Sequence, residues 1–161
     1  MPRIAMINTV CSGSHGRIMR DLRQAAAHAG LETLIAYVRG PDADGNTLCF
    51  DSKQDVLLHV AKTRLLDRHA QGSKAATKRL LAALDAYAPD IVHLHNVHGY
   101  YLHAETLFAD LRGKHLPPLW THHDAWALTG HCSHFVRANC LKWKTGCHAC
   151  PLKTAYPASY G

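Results

Sequence analysis

Short apolar runs alternate with longer segments of helical periodicity along this chain. The apolar runs predict strands at 3–8, 32–38, 47–50, 90–95 and 118–122, and helical patterns at 17–29, 53–68, 73–87 and 104–112 fill intervals between them. Strands that alternate with helices in this way form a parallel sheet with helices on both faces. The pattern therefore predicts an α/β fold, with a single domain spanning residues 1–161.

Local signals refine these helices. Ser52 and Asp55 form a capping-box-like start for the helix at 53–68. The apolar spacing predicts a buried stripe on the first helix at Ile18, Leu22, Ala25 and Ala29, and another on the third at Leu80, Leu81, Leu84 and Tyr87. Residues 39–47 are rich in turn formers, so we expect a turn there.

Composition and charge narrow the class of partner. Of the 161 residues, 47% are hydrophobic and 19% are charged, which is typical of a globular protein. No apolar run approaches the roughly 20 residues that span a bilayer, and the start lacks a secretory signal, so we expect a cytoplasmic protein. A formal net charge of +6 favours anionic partners: nucleic acid, phosphorylated metabolites or an acidic membrane surface.

Four of the six cysteines lie in a short stretch, residues 131–151, which we call the cysteine segment: Cys132, Cys140, Cys147 and Cys150. In a reducing compartment such a set favours a structural zinc site over disulfides, although disulfides, free thiols and a redox-active pair remain alternatives. We expect a cysteine-rich, zinc-stapled loop here. Cys11 and Cys49 stand apart and are expected to be buried thiols.

Polar residues follow three of the predicted strands. They are Gly13, Ser14, Gly16 and Arg17 after the first strand, His95, Asn96 and His98 after the fourth, and His123 and Asp124 after the fifth. Ligands bind at the carboxyl ends of strands in open α/β sheets, so these residues are candidates for an anion or sugar site with titratable groups. The alternatives are a plain strand-to-helix turn, packing of helix-covered histidines, and a zinc site at His93, His95 and His98.

Basic residues interleave with aromatic and apolar ones in two places. Lys142, Trp143 and Lys144 lie in the cysteine segment, and the second and third predicted helices carry Lys62, Arg64, Arg68, Lys74, Lys78 and Arg79. Such a pattern suits an anionic membrane surface or nucleic acid, whereas a solvated helix face explains each residue singly.

The stretches INTVCSGSHGRIMRDL, PDIVHLHNVHGYYLH, WTHHDAWALTGHCSHF and CLKWKTGCHACP together resemble the N-terminal half of a bacterial GT-B glycosyltransferase of glycosyltransferase family 4. The resemblance implies a Rossmann-like domain on the acceptor side of a cleft. It places Gly13 and Gly16 near the transferred sugar and His123 and Asp124 at the catalytic cleft edge. It places His95, Asn96 and His98 beside the acceptor.

The resemblance also implies an activity and a location. Such enzymes transfer a sugar from a nucleotide-sugar donor to a glycan or lipid-linked acceptor in polysaccharide biosynthesis, generally with retention and without a catalytic metal. Any zinc would then be structural. The donor-binding C-terminal domain is absent from these 161 residues, so we expect the chain alone to be inactive. A place at the inner membrane face would suit a lipid-linked acceptor. The alternative functions are a zinc-containing nucleic-acid-binding module and a metal-dependent hydrolase.

Overall fold

The computed structural model describes residues 1–40 and 45–160, so the centre of the predicted turn at 39–47 lies outside the described residues. The strands are β1 (Arg3–Ile7), β2 (Glu32–Tyr37), β3 (Thr47–Cys49), β4 (Ile91–Leu94) and β5 (Pro118–Trp120). The α-helices are α1 (Gly13–His28), α2 (Lys53–Leu66), α3 (Lys74–Tyr87), α4 (Ala104–Gly113) and the short α5 (Trp126–Thr129). Two 3₁₀ turns follow at Phe135–Ala138 and Lys142–Lys144.

The five strands form one parallel sheet in the order β3-β2-β1-β4-β5. The chain runs outward from β1 to β3 and then crosses back to place β4 on the other side of β1. In sheets of this kind the reversal opens a crevice beyond the carboxyl ends of the two central strands. The predicted α/β class and parallel sheet are confirmed, and the crevice lies between β1 and β4.

Alternate side chains of the central strands enter two separate cores. Ala5 and Ile7 of β1 belong to the larger core, which α3 and α4 cover with Leu80, Leu84 and Leu107. Met6 points the other way, into a smaller core that also contains Met19 of α1. Helices therefore cover both faces of the sheet, as the alternation of elements predicted.

The predicted buried face of α1 is wrong. Its buried residues are Gly16, Met19 and Ala26, whereas Ile18 is 42% exposed and Leu22 is 36% exposed. The helix also begins at Gly13, four residues before the predicted start at 17. The buried face of α1 is set by a close approach between its first turn and the loop before it. A Cβ on Gly16 would lie 2.3 Å from the carbonyl carbon of Cys11. Only the face that carries this glycine can meet that loop.

The predictions for α2 and α3 have mixed outcomes. The Asp55 backbone N–H donates to Ser52 Oγ at 3.2 Å, which confirms the predicted cap of α2. Leu80, Leu81 and Leu84 of α3 are buried as predicted. Of the two isolated cysteines, Cys11 is buried, but Cys49 is exposed because it ends the edge strand β3. Within residues 1–40 and 45–160, no helix has the length and apolar character needed to cross a membrane.

Candidate functional site

A cavity of about 430 Å³ lies at the carboxyl edge of the sheet. Thr9, which follows β1, lines it together with Asn96 and His98, which follow β4, and Asp124, which follows β5. Because neighbouring parallel strands end at the same edge, residues more than 80 positions apart in sequence meet here. The cavity therefore occupies the crevice that the strand order creates.

The first turn of α1 reaches this cavity through His15. Asn96 Nδ2 donates to His15 Nδ1 at 2.8 Å, and the His15 ring lies 4.5 Å from the ring of His123. The hydroxyl of Tyr101, a fully buried residue, donates to the backbone carbonyl of Asn96. The buried Tyr101 thus fixes the backbone of Asn96, while the Asn96 side chain binds His15.

His98 and Asp124 form the central polar pair of the site. His98 Nε2 lies 2.8 Å from Asp124 Oδ2, and the second carboxylate oxygen accepts the backbone N–H of Trp126 at 2.9 Å. With the ring donating from Nε2, its Nδ1 accepts from the Tyr156 hydroxyl at 3.2 Å. Burial lowers the pKa of His98, and Asp124 opposes that shift in part. The carboxylate therefore fixes the orientation of an uncharged imidazole.

A second set of imidazoles runs beside this pair. His95 Nδ1 and His123 Nε2 are 2.9 Å apart, and the His93 and His95 rings lie 4.3 Å from each other. Burial, followed by the neighbouring histidines, lowers the pKa of His95 to about 3. Burial also lowers the pKa of His123. We call His15, His93, His95, His98 and His123 the histidine cluster.

The structure groups the predicted residues differently from the sequence. Sequence reasoning treated His123 and Asp124 as one unit, but Asp124 binds His98 and His123 binds His95. Arg17 does not line the cavity; its Nε lies 4.0 Å from Asp21, and its side chain is 79% exposed. Gly13, Ser14 and Gly16 belong to the first turn of α1 and likewise do not line the cavity. His95 and His123 line a small pocket that shares Asn96, His98 and Asp124 with the cavity.

Several cavity residues were missed by sequence reasoning. His15 stands between the two glycines of the first loop, and Arg39 follows β2, so both positions carried a usable signal. Arg39 Nη2 donates to the Gly99 carbonyl at 2.7 Å, which holds its guanidinium at the cavity. Arg137 comes from the 3₁₀ turn Phe135–Ala138 and Tyr156 from an irregular segment near the end of the chain, and no periodicity pointed to either of them.

The cysteine segment lies next to the cavity, and Cys132 lines both the cavity and a smaller pocket. That smaller pocket is lined by Cys132, Cys140, Cys147 and Cys150. All four thiols are free. Among the described residues, no group of three or more His, Cys, Asp or Glu side chains is arranged to hold a metal ion. The thiols converge without forming a ligand set, so the zinc staple gains no support here and stays a prediction.

The histidines of the alternative zinc site, His93, His95 and His98, make hydrogen bonds to other residues. His93 Nε2 lies 2.8 Å from Thr121 Oγ1, and both ring nitrogens of His98 have hydrogen-bond partners. His95 Nε2 is buried and has no hydrogen-bond partner in the part of the chain that the structure describes. The three rings are therefore engaged in hydrogen bonds and do not converge on one ion.

The fold and the cavity define a class of protein. An α/β domain with polar side chains at the carboxyl ends of its central parallel strands is the general form of a Rossmann-like ligand-binding domain. No protein-family model matches the chain. The chain is 26% identical to the putative colanic acid biosynthesis glycosyl transferase WcaC of Escherichia coli (strain K12), over 92% of its own length and 39% of that relative.

A solved structure shares the fold. The crystal structure of SsfS6, a glycosyltransferase of Streptomyces sp. SF2575, aligns with a TM-score of 0.52 and 17% sequence identity. The alignment covers 77% of this chain and 40% of SsfS6. The chain thus spans about two fifths of the length of each protein that it matches. The sequence relationship is to a glycosyl transferase, and the structural likeness is one of fold.

Proposed function

We propose that this chain is the acceptor-side domain of a glycosyltransferase that moves a sugar from a nucleotide-sugar donor to a glycan or lipid-linked acceptor in polysaccharide biosynthesis. The similarity to WcaC over 92% of the chain carries this proposal. The cavity at the carboxyl edge of the sheet supports it, because it combines a concave apolar surface with convergent polar side chains, among them Asn96, His98 and Asp124.

In this proposal the acceptor hydroxyl binds beside His98. The hydroxyl oxygen attacks the anomeric carbon, the bond from that carbon to the donor phosphate breaks, and the nucleoside diphosphate leaves. The hydroxyl must lose its proton in the process. In the proposal it takes the place of the Tyr156 hydroxyl at His98 Nδ1, which accepts the proton, and the imidazolium that forms stays paired with Asp124 through Nε2. Asp124 acts as a positioning residue, since it holds the His98 ring at 2.8 Å.

His123 is assigned to the transferred sugar. Its ring is flanked by His15 and His95, whose centroids lie at 4.5 and 5.2 Å, so its orientation is restricted on two sides. Arg39 and Arg137 bring two positive charges to the cavity against the one negative charge of Asp124. Positive charge suits the phosphate groups of a nucleotide sugar or a lipid-linked acceptor. Retention of configuration, a hexosyl donor and the lack of a catalytic metal follow from the family resemblance and belong to the proposal.

The chain spans 39% of WcaC, so the proposal assigns donor binding to a further domain. The 161-residue chain alone is then expected to give no turnover. We place the whole protein at the cytoplasmic face of the membrane, where nucleotide sugars are made and lipid-linked acceptors are exposed. No contact among the described residues favours the zinc-containing nucleic-acid-binding alternative.

The test uses the full-length protein, a panel of nucleotide sugars and a bacterial lipid extract as acceptor. Release of nucleoside diphosphate that requires both donor and acceptor supports the proposal. Asp124→Asn should lower kcat about a hundredfold with little change in KM for the acceptor, because it disturbs the ring that meets the hydroxyl.

The matched control is Asp85→Asn on α3, whose carboxylate is 58% exposed and pairs with Lys114. This variant should keep the wild-type rate. If no donor in the panel is consumed, or if the two variants lose the same activity, the proposed function is wrong.

A further inference from the structure

Helix α2 buries polar side chains and exposes apolar ones, which is the reverse of the next helix, α3. The buried residues of α2 are His59 and Thr63, both with no exposed surface. Its four leucines point to solvent instead, with exposed fractions between 61% and 68%: Leu57, Leu58, Leu65 and Leu66. Helix α3 does the opposite and buries Leu80, Leu81 and Leu84. A single helix in a folded domain rarely exposes so many large apolar side chains without a partner.

Hydrogen bonds hold α2 in this rotation. His59 Nδ1 lies 2.9 Å from Ser73 Oγ, and His59 Nε2 accepts the backbone N–H of Gly72 at 3.2 Å. Thr63 Oγ1 donates to the His59 carbonyl at 3.0 Å. A rotation that buried the leucines would separate the buried His59 ring from Ser73 and Gly72, which is costly, whereas the bond of Thr63 lies within α2 and would turn with the helix. The leucines are therefore kept outward by the polar face behind them.

Positive charges flank the exposed leucines. At about 100° per residue, Leu58, Ala61 and Leu65 lie at the centre of the outward face, Lys62 on one side, and Lys53 and Arg64 on the other. No acidic group in the described residues forms an ion pair with these three cations. Tyr160, 65% exposed, donates its backbone N–H to the Arg64 carbonyl at 2.7 Å. An amphipathic aromatic residue thus lies beside the C-terminal end of α2.

We propose that the outward face of α2 docks on an anionic lipid surface. Apolar side chains would enter the boundary between headgroups and acyl chains, while the flanking Lys and Arg side chains extend to the anionic headgroups. The charge pattern favours lipid over protein, because cations on both sides of a leucine row match a uniformly negative plane. The docking does not depend on sugar transfer, so either proposal can fail without the other.

The first arm of the test removes the apolar contact. The full-length protein is sedimented with vesicles of phosphatidylcholine alone and of phosphatidylcholine mixed with phosphatidylglycerol. The wild type should bind the anionic vesicles preferentially, and the double variant Leu58→Gln/Leu65→Gln should bind them at least about tenfold more weakly. The control pair is Val136→Gln/Leu141→Gln, two side chains of the cysteine segment that are 75% and 59% exposed. It should bind as the wild type does.

The second arm removes charge. Lys62→Gln/Arg64→Gln should weaken binding about tenfold at low salt, whereas Lys78→Gln/Arg112→Gln, which removes the same charge from α3 and α4, should change it little. Equal binding to both vesicle types would overturn the proposal, as would equal losses in a variant and its control. So would a wild-type dimer that ignores vesicles and dissociates in the leucine variant, because a second copy would then cover α2.

Discussion

The histidine cluster and the cysteine segment lie side by side, yet they differ in how they are held. The rings of His93, His95 and His98 are buried, and each is hydrogen-bonded to a residue from another element. In the cysteine segment most side chains are exposed, and only 3₁₀ turns give it regular structure. The sheet positions the first group, whereas the second has no comparable scaffold. Chemistry that depends on fixed geometry is therefore expected in the histidine cluster.

The largest expected effect concerns acid stability. Burial is the main cause that lowers the pKa of His59 to about 4 and those of His69 and His95 to about 3. Above pH 6.5 these rings are neutral in both the folded and the unfolded chain. As the pH falls from 6.5 towards 4, the unfolded chain takes up protons that the folded chain refuses, so the free energy of unfolding falls. Three such groups lose about 4 kcal/mol per pH unit at most.

Urea unfolding between about pH 7.5 and about pH 5 measures this slope. His95→Gln should make the slope shallower, because it removes one of the groups that contribute to it. His148→Gln, a change at an exposed ring of the cysteine segment, should leave it unchanged. A stability that is flat over this pH range, or one that rises on acidification, would contradict the account of buried neutral histidines.

The next largest expected effect compares the stability loss from a glycine-to-alanine change beside His15, at Gly16, with that from the same change in the cysteine segment, at Gly146. In Gly16→Ala the new Cβ meets the Cys11 backbone at 2.3 Å, so the first turn of α1, which carries His15, must shift. We expect a loss of about 3 kcal/mol or more in the free energy of unfolding and a lower kcat. In Gly146→Ala the Cβ meets the exposed ring of His148 at 3.2 Å, and the positive φ of 135° is the main cost. That cost is about 1–2 kcal/mol, with kcat unchanged.

Denaturant unfolding and steady-state kinetics on the two alanine variants measure this difference. The reverse order of destabilisation, or a kcat that falls equally in both, would show that the cysteine segment is as tightly coupled to the site as the first loop.

Loss of the predicted zinc is expected to change the activity least. Full-length protein purified without chelators should contain about one zinc per chain. Cys147→Ser/Cys150→Ser should lose the metal with less than about a threefold change in kcat, since a closed thiolate site is structural. Cys49→Ser, a change at an exposed thiol outside the segment, should keep it. Protein that carries no zinc and whose four thiols all react freely with a thiol reagent would disprove the staple.

The sequence predicted the sheet well because strand and helix periodicities are local signals. All five strands overlap their predicted positions, and the rule that ligands bind at carboxyl ends brought Asn96, His98 and Asp124 to one cavity. The rule could not say which side chains pair. His123 and Asp124 are adjacent in sequence but bind different partners, because they lie in a bend between β5 and α5 whose side-chain directions no periodic pattern gives.

The errors have a common physical cause. Apolar spacing identified α1 as a helix, but the face that packs was decided by Gly16 against Cys11. No buried face was predicted for α2, whose packing depends on His59 against Ser73. Such tertiary contacts override hydrophobicity and leave no periodic trace. Tyr156 reaches His98 from 58 residues away through an irregular segment, which no local pattern could predict.

If sugar transfer takes place at the histidine cluster, two adjacent histidines should differ sharply in their effect on it. His123 contacts His95 and His15, whereas His122 is exposed and lies against Trp120. The measurement is kcat of the full-length protein for transfer to acceptor. The account predicts a loss of about a hundredfold or more in His123→Ala and less than about threefold in His122→Ala. Equal rates in the two variants would contradict it.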